Sequence, residues 1–412
     1  MSSIQLSLNH KRYFTNPFLE STRNQENIVT KDWLLQQITT IADKLINRNI
    51  SEDEIAEGCV YTGIGGIAFA LLRVIQYVNP SNSDEILAIC QQYIKSQLQS
   101  ARHASSRSAV RYLVGIYGLH IVNGILCSVN GQPSNEIFAT VKQLVDLIEK
   151  PNTEDEILNG KAGFLAGILT LKIEANQNVL NENDIRRILK ALIKSGREYA
   201  RTNKSKSPLM YEWHESEYLG AAHGLSGILQ TLLSFWSYLD DTDKSFVKET
   251  LDWFLNLQTS SGNFPSSSKH IGEERGENEL IHWCHGAGGC IYLFIVAYMV
   301  LGEKKYLNVA HACSELIWKK GILHKGPGLC HGLSGNGYAF LMMYRLTNDE
   351  TYLIKAKLFA LIMMHPDFQQ QSRVPDRPWS LFEGWAGALT FLTDLLNPNT
   401  ANFPLIPIPF SH

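Results

Sequence analysis

Apolar positions recur with a helical period along most of the chain. Leu34, Ile38, Ile41 and Leu45 fall at i, i+4, i+7 and i+11, which is one face of a helix. No sustained period-two alternation stands out, so strands are expected to be few. A second, longer repeat overlies this one. G-x-x-G followed by an apolar run occurs at Gly63/Gly66, Gly115/Gly118, Gly160/Gly163, Gly224/Gly227, Gly286/Gly289, Gly332/Gly335 and Gly384/Gly387. The leading glycines are 45 to 64 residues apart, regular enough for a repeat architecture and too loose for a tight solenoid.

Ahead of each apolar run lies an amphipathic stretch: 33–47, 84–98, 136–148, 184–196, 243–256, 304–318 and 350–362. Ser83-Asp84 and Asp241-Thr242-Asp243 supply start signals for two of them. One helix per repeat is apolar nearly all round and one keeps a polar face. The pattern therefore predicts an all-α fold, an α/α toroid with an inner ring of buried helices wrapped by an outer ring. The glycines would let inner helices converge at one end, where a Cβ would block close backbone approach. An open helical solenoid is the competing arrangement. Residues 1–30 are polar and read as an N-terminal arm, with Tyr13-Phe14 and Pro17-Phe18 as places where it could dock. Residues 31–412 read as one domain, with longer connections at 201–220, 257–283 and 369–378.

Totals narrow the function. The 412 residues are 44% hydrophobic with net charge −3, and neither the charge nor any basic run supports nucleic-acid binding. The start, Met1 to Gln5, lacks a charged region followed by an apolar one, and Ser2 is not the glycine a myristoyl group needs. The apolar stretch Cys290 to Leu301 is short of the ~20 residues of a membrane span. Seven cysteines, odd in number and scattered, fit free thiols in a reducing, cytoplasmic setting.

Residues beside the glycines meet if inner-helix N-termini share one face: Tyr61, Glu156, His223, Cys284, His285, Cys330, His331 and Glu383. Cys284, Cys330 and His331 fit zinc, two thiolates and an imidazole leaving a fourth tetrahedral position open. Small buried packing cysteines are the alternative. An open site of this kind suits a thiol substrate, since metal coordination deprotonates a thiol outright. Addition of that thiol to an electron-poor alkene needs a proton donor, and His223 is the candidate. Glu156 and His285 are candidates for orienting roles, and His282 and His324 read as loop or rim residues.

Several longer motifs then stand out: Tyr61-Thr62-Gly63, Lys206-Ser207-Pro208-Leu209-Met210-Tyr211-Glu212-Trp213, Gly220-Ala221-Ala222-His223-Gly224, His282-Trp283-Cys284-His285-Gly286-Ala287, Gly328-Leu329-Cys330-His331-Gly332 and Ser380-Leu381-Phe382-Glu383-Gly384. With these the chain resembles the lanthionine synthetase C-like (LanC-like) proteins, in particular their eukaryotic branch, from Asn16-Pro17-Phe18 to Asn402-Phe403-Pro404. The resemblance implies seven inner and seven outer helices, zinc on Cys284, Cys330 and His331, and His223 as the proton-transferring group. It further implies a glutathione transferase that adds the glutathione thiol to dehydroalanine or dehydrobutyrine in proteins whose phosphorylated residues have eliminated. Glutathione contacts carry over to Lys325, to Arg373-Val374-Pro375-Asp376 and to Arg12, although solvated loop charge is the plain reading of Lys325 and Arg373. Glutathione has two carboxylates and one ammonium, which such residues suit. Val374, Pro327 and Gly289 depart from the family pattern and bear on substrate preference. Other readings are a glutathione-binding scaffold for signalling proteins, a lanthionine-forming peptide cyclase, and a protein prenyltransferase, whose ligand set needs an Asp with no matching position.

Overall fold

Each of the seven leading glycines is the N-cap of a helix. The computed structural model describes residues 6–8, 10–22, 24–101 and 105–410, so the readings of Met1 to Gln5 and of Ser2 lie outside the described residues. Fourteen principal helices follow one another: α1 Lys31–Ile46, α2 Ile64–Val78, α3 Ser83–Ser100, α4 Ile116–Val129, α5 Asn135–Gln143, α6 Lys161–Glu174 and α7 Glu182–Asn203. Then come α8 Leu225–Ser234, α9 Asp241–Leu255, α10 Ala287–Leu301, α11 Lys304–Lys320, α12 Leu333–Thr347, α13 Glu350–Met363 and α14 Trp385–Asp394. Among the described residues only isolated bridges occur, with no strand.

Even-numbered helices form the inner ring and odd-numbered ones the outer. In α10 every residue from Ala287 to Ala297 is buried, whereas α7 buries one face, Ile185, Ile188, Leu189, Leu192, Ile193, Gly196 and Ala200. Burial all round against burial of one stripe is what separates an inner from an outer helix. Consecutive inner helices pack on each other all the way round, and α14 packs back on α2. That contact closes the ring and excludes the open solenoid. α1, first in sequence, fills the last outer slot against α14 and α2.

The amphipathic stretches differ from the observed helices mainly at their ends. Asp240, one residue before the predicted signal, is the N-cap of α9 and accepts from the Asp243 amide. α7 runs seven residues past its predicted end because Gly196 does not stop it. A Cβ at Gly196 would lie 2.4 Å from the Tyr211 ring, so this glycine makes room for the returning Lys206–Trp213 segment.

The second glycine of each pair has a uniform role. A Cβ there would stand 1.9–2.3 Å from the carbonyl oxygen of the residue six positions earlier, in all seven repeats. Only glycine lets the loop fold back on its own helix this tightly. The lumen is sealed at its other end by the C-terminal segment. Residues 401–408 are buried throughout. The Leu405 carbonyl accepts from Tyr112 Oη and Thr170 Oγ1, and Arg345 donates to the Ala401 carbonyl. At the N-terminal side Phe14 is fully buried and Asn16 Nδ2 donates to the Trp318 carbonyl. No helix among the described residues is long and apolar enough to cross a membrane.

Candidate metal centre

The loops before the inner helices are joined by a backbone relay. The Cys284 amide donates to the Cys330 carbonyl (3.2 Å), Cys330 to Phe382 (2.8 Å), Phe382 to Tyr61 (3.2 Å), Tyr61 to Leu113 (2.9 Å) and Leu113 to Leu158 (3.1 Å). Each of these residues stands two positions before a leading glycine. The relay thus brings equivalent positions of distant repeats side by side, and in two adjacent repeats that position is a cysteine.

Sγ of Cys284, Sγ of Cys330 and a ring nitrogen of His331 lie within 4.8 Å of one another. Burial, then the adjacent Cys284, push the Cys330 thiol well up, while His331 draws it back. Burial lowers the His331 pKa, but Cys330 outweighs it and the net shift is upward. A buried thiol pair of this kind ionises readily only beside a cation, and two sulfurs with one imidazole are a donor set that zinc favours. The residues present fit that metal. All seven cysteines are free, and the other five lie outside the cluster.

His282 lies in a loop, as the sequence reading has it, but not at the rim. It is only 4% exposed, and its Nδ1 is 3.9 Å from Cys284 Sγ. Burial, reinforced by His331, Lys325 and Arg12, drives its pKa down to about 3, so it is a neutral imidazole inside the site and not a rim residue. His285 is likewise neutral, lowered to about 4 by burial and then by His282, His223, Lys325 and Arg275. Tyr61, half-buried, lies flat on Phe382 with ring centroids 4.6 Å apart.

His223 stands one repeat away, next to the α8 N-cap. Its Nδ1 is 3.5 Å from Glu156 Oε2. The Glu156 carboxylate is itself held by the amides of Leu158 and Asn159 and by Asn159 Nδ2. The imidazole stacks on Trp213 at 3.8 Å between centroids and 10° between planes. Tyr218 lies between His223 and His285, at 6.2 and 5.6 Å. Trp213 was visible in the sequence only as the end of a loop motif; nothing in its spacing marks it as a partner of His223.

The segments that carry the cationic residues are joined to one another by backbone bonds. Tyr13 and Leu323 form an antiparallel bridge, flanked by His324 N–H donating to the Arg12 carbonyl. The Arg373 amide donates to the His324 carbonyl at 2.7 Å. Three short segments thereby set Arg12, Lys325 and Arg373 in one bank. Gly326, at φ +109°, leaves room for Pro375, whose Cγ would be 3.0 Å from a Cβ there. Val374 is 79% exposed and Asp376 is exposed. Arg377, one residue on, ties the loop to Glu57 through Nε at 2.9 Å.

Comparison with known proteins fits this geometry. A relative described as "Glutathione S-transferase LANCL1" from Danio rerio is 36% identical over 356 residues, 84% of either chain. The solved structure of a nisin cyclase superimposes with a TM-score of 0.64 at 16% identity, covering 92% of this chain and 96% of that one, and so shares the fold. The family model for lanthionine synthetase C-like proteins matches residues 54–408. The seven-fold glycine repeat, the closed double ring and these matches agree, and the chain belongs to the lanthionine synthetase C-like family.

Proposed function

We propose that this protein is a zinc-dependent glutathione transferase that adds the glutathione thiol to dehydroalanine or dehydrobutyrine residues in damaged cytosolic proteins. The observation that carries the reading is the meeting of Cys284, Cys330 and His331 within 4.8 Å at the mouth of a closed ring. Zinc on these three ligands, with a fourth position open, would hold the incoming thiol as its thiolate.

The remaining work falls to the chain. Lys325, Arg373 and Arg12 bind and orient the glutathione carboxylates by charge-assisted hydrogen bonds. The helix N-termini around the mouth favour the anionic sulfur. Sulfur attacks the β-carbon of the dehydroamino acid, a C–S bond forms, and the π pair moves onto the α-carbon and its carbonyl. His223 delivers a proton to the α-carbon, replacing the one the thiol gave up, and Glu156 holds the imidazole in place. Nothing is oxidised or reduced.

The test is incubation with glutathione and a dehydroalanine peptide, followed by mass spectrometry. Wild type yields an adduct heavier by one glutathione, and Cys330→Ala yields none. Binding of glutathione without any adduct would make the protein a scaffold. Ring closure by a peptide's own cysteine in preference to glutathione would make it a cyclase.

A further inference from the structure

The hairpin tip Trp213–Ser216 holds two consecutive residues in a strained left-handed conformation, with the Glu215 amide donating to Glu212 Oε1 at 3.1 Å. His214 and Glu215 have φ of +47° and +57°. They are the one consecutive left-handed pair of non-glycine residues among those described. The tip is closed by both backbone bonds, Trp213 N–H to the Ser216 carbonyl at 3.0 Å and Ser216 N–H to the Trp213 carbonyl at 3.2 Å. Two-residue hairpins with both central φ positive are strongly biased to Asn-Gly or Asp-Gly, because side chains are disfavoured there. Elsewhere the described positive-φ positions without glycine are single residues, Asn at 24, 79, 176 and 348, Lys204 and Leu405. Here two stand in succession, both exposed.

Position gives the strain a meaning. The Trp213 ring lies on the His223 imidazole, and the His214 ring meets Trp213 edge-on at 4.1 Å. The tip is therefore two rings from the proposed proton donor. The Arg12–Lys325–Arg373 bank, by contrast, borders His282 and His324. Cations also reach the neighbourhood of His285, Lys325 and Arg275 among them. Around His223 the chain offers an imidazole, a carboxylate and aromatic faces. Backbone strain retained beside a reacting group is a recognised mark of functional positions.

We propose that the Trp213–Ser216 tip is the lip that binds the acceptor polypeptide, with His214 and Glu215 hydrogen-bonding the backbone that flanks the dehydroamino acid. Its catalytic consequence rests on the transferase reading above; the binding itself does not. Glu215 would accept from an acceptor amide and His214 would donate to an acceptor carbonyl. The α-carbon would then be presented to His223.

Two double variants test this. H214N/E215G keeps the turn and relieves the strain; H214A/E215A keeps the strain and removes the side chains. Binding of a fluorescent dehydroalanine peptide, read by anisotropy without glutathione, needs no turnover. Both variants are expected to weaken it about tenfold, with the matching rise in peptide KM at constant kcat that marks lost uniform binding. H214N/E215G should also unfold a few degrees higher, and a single-residue dehydroalanine acceptor lacking flanking peptide should keep its KM in both. Peptide affinity within twofold of wild type in both variants overturns the lip. Wild type that binds the peptide but forms no adduct overturns the transferase reading and leaves the lip standing.

Discussion

The amide of Cys284 donates to the carbonyl of Cys330 at 3.2 Å, so two thiols from successive repeats are backbone neighbours. This bond is one link of the relay that continues through Phe382, Tyr61, Leu113 and Leu158. A ring that sets equivalent positions side by side needs only two adjacent repeats with cysteine at one position and a histidine at the next. The centre is thus assembled by the repeat, and the chemistry lies in which residues occupy it.

His223 is separable from the three candidate ligands Cys284, Cys330 and His331. It sits against Glu156, Trp213 and Tyr218. His223→Gln should lower kcat for adduct formation by about 10²–10⁴-fold, the usual contribution of a positioned acid, with zinc content unchanged by elemental analysis. Glu156→Gln should lower kcat by less.

The cationic bank predicts the opposite kinetic signature. Lys325 borders the site closely enough for its charge to depress both His282 and His285. A hydrogen bond to a charged group contributes about 1.5–3 kcal/mol. Lys325→Ala should therefore raise the KM for glutathione about 10–150-fold, the conversion of that range, with kcat little changed. Steady-state kinetics with glutathione varied at saturating acceptor checks it.

The C-terminal plug reaches the floor of the site. Phe403 lies 5.6 Å from Trp283 and 6.5 Å from Phe382 between ring centroids, and these neighbour Cys284 and accept from Cys330. Phe403→Ala should destabilise the fold by about 3–5 kcal/mol, as buried Phe→Ala changes do, and weaken zinc binding with it. Ile408→Ala, equally buried in the same segment, should lower stability and leave zinc affinity in place. Urea melts and chelator competition separate the two outcomes.

His120 on α4 gives a pH prediction free of the metal site. Burial lowers its pKa from the ordinary 6.5, so the unfolded chain takes up a proton at higher pH than the folded one. Its contribution is complete above pH 6.5 and is lost as pH falls from there through the lower folded value. His120→Leu should flatten the fall of the urea midpoint between pH 7 and pH 5, measured against wild type.

The ring was legible because it is written locally and seven times over. Gly63/Gly66 and its counterparts mark both the N-caps and the tight approaches to the preceding loops, and a periodic signal survives loose spacing. That Cys284, Cys330 and His331 meet was legible for the same reason, since they stand beside those glycines. What the sequence hid are contacts between segments with no common period. Trp213 reaches His223 because Gly196 in α7 admits the Tyr211 ring. His282 turns inward because the Asn336 side chain donates to the Ile281 carbonyl next to it. The plug depends on Leu405 at φ +63° meeting Tyr112 and Thr170 from other repeats. Such meetings are set by the closed ring and leave no mark in any one stretch.

The most direct test of the central claim is X-ray absorption at the zinc edge of the metal-loaded protein, counting sulfur neighbours with and without glutathione. Cys284 and Cys330 alone predict two sulfurs before addition, and the account predicts three after it. A sulfur count that glutathione leaves unchanged would contradict the account.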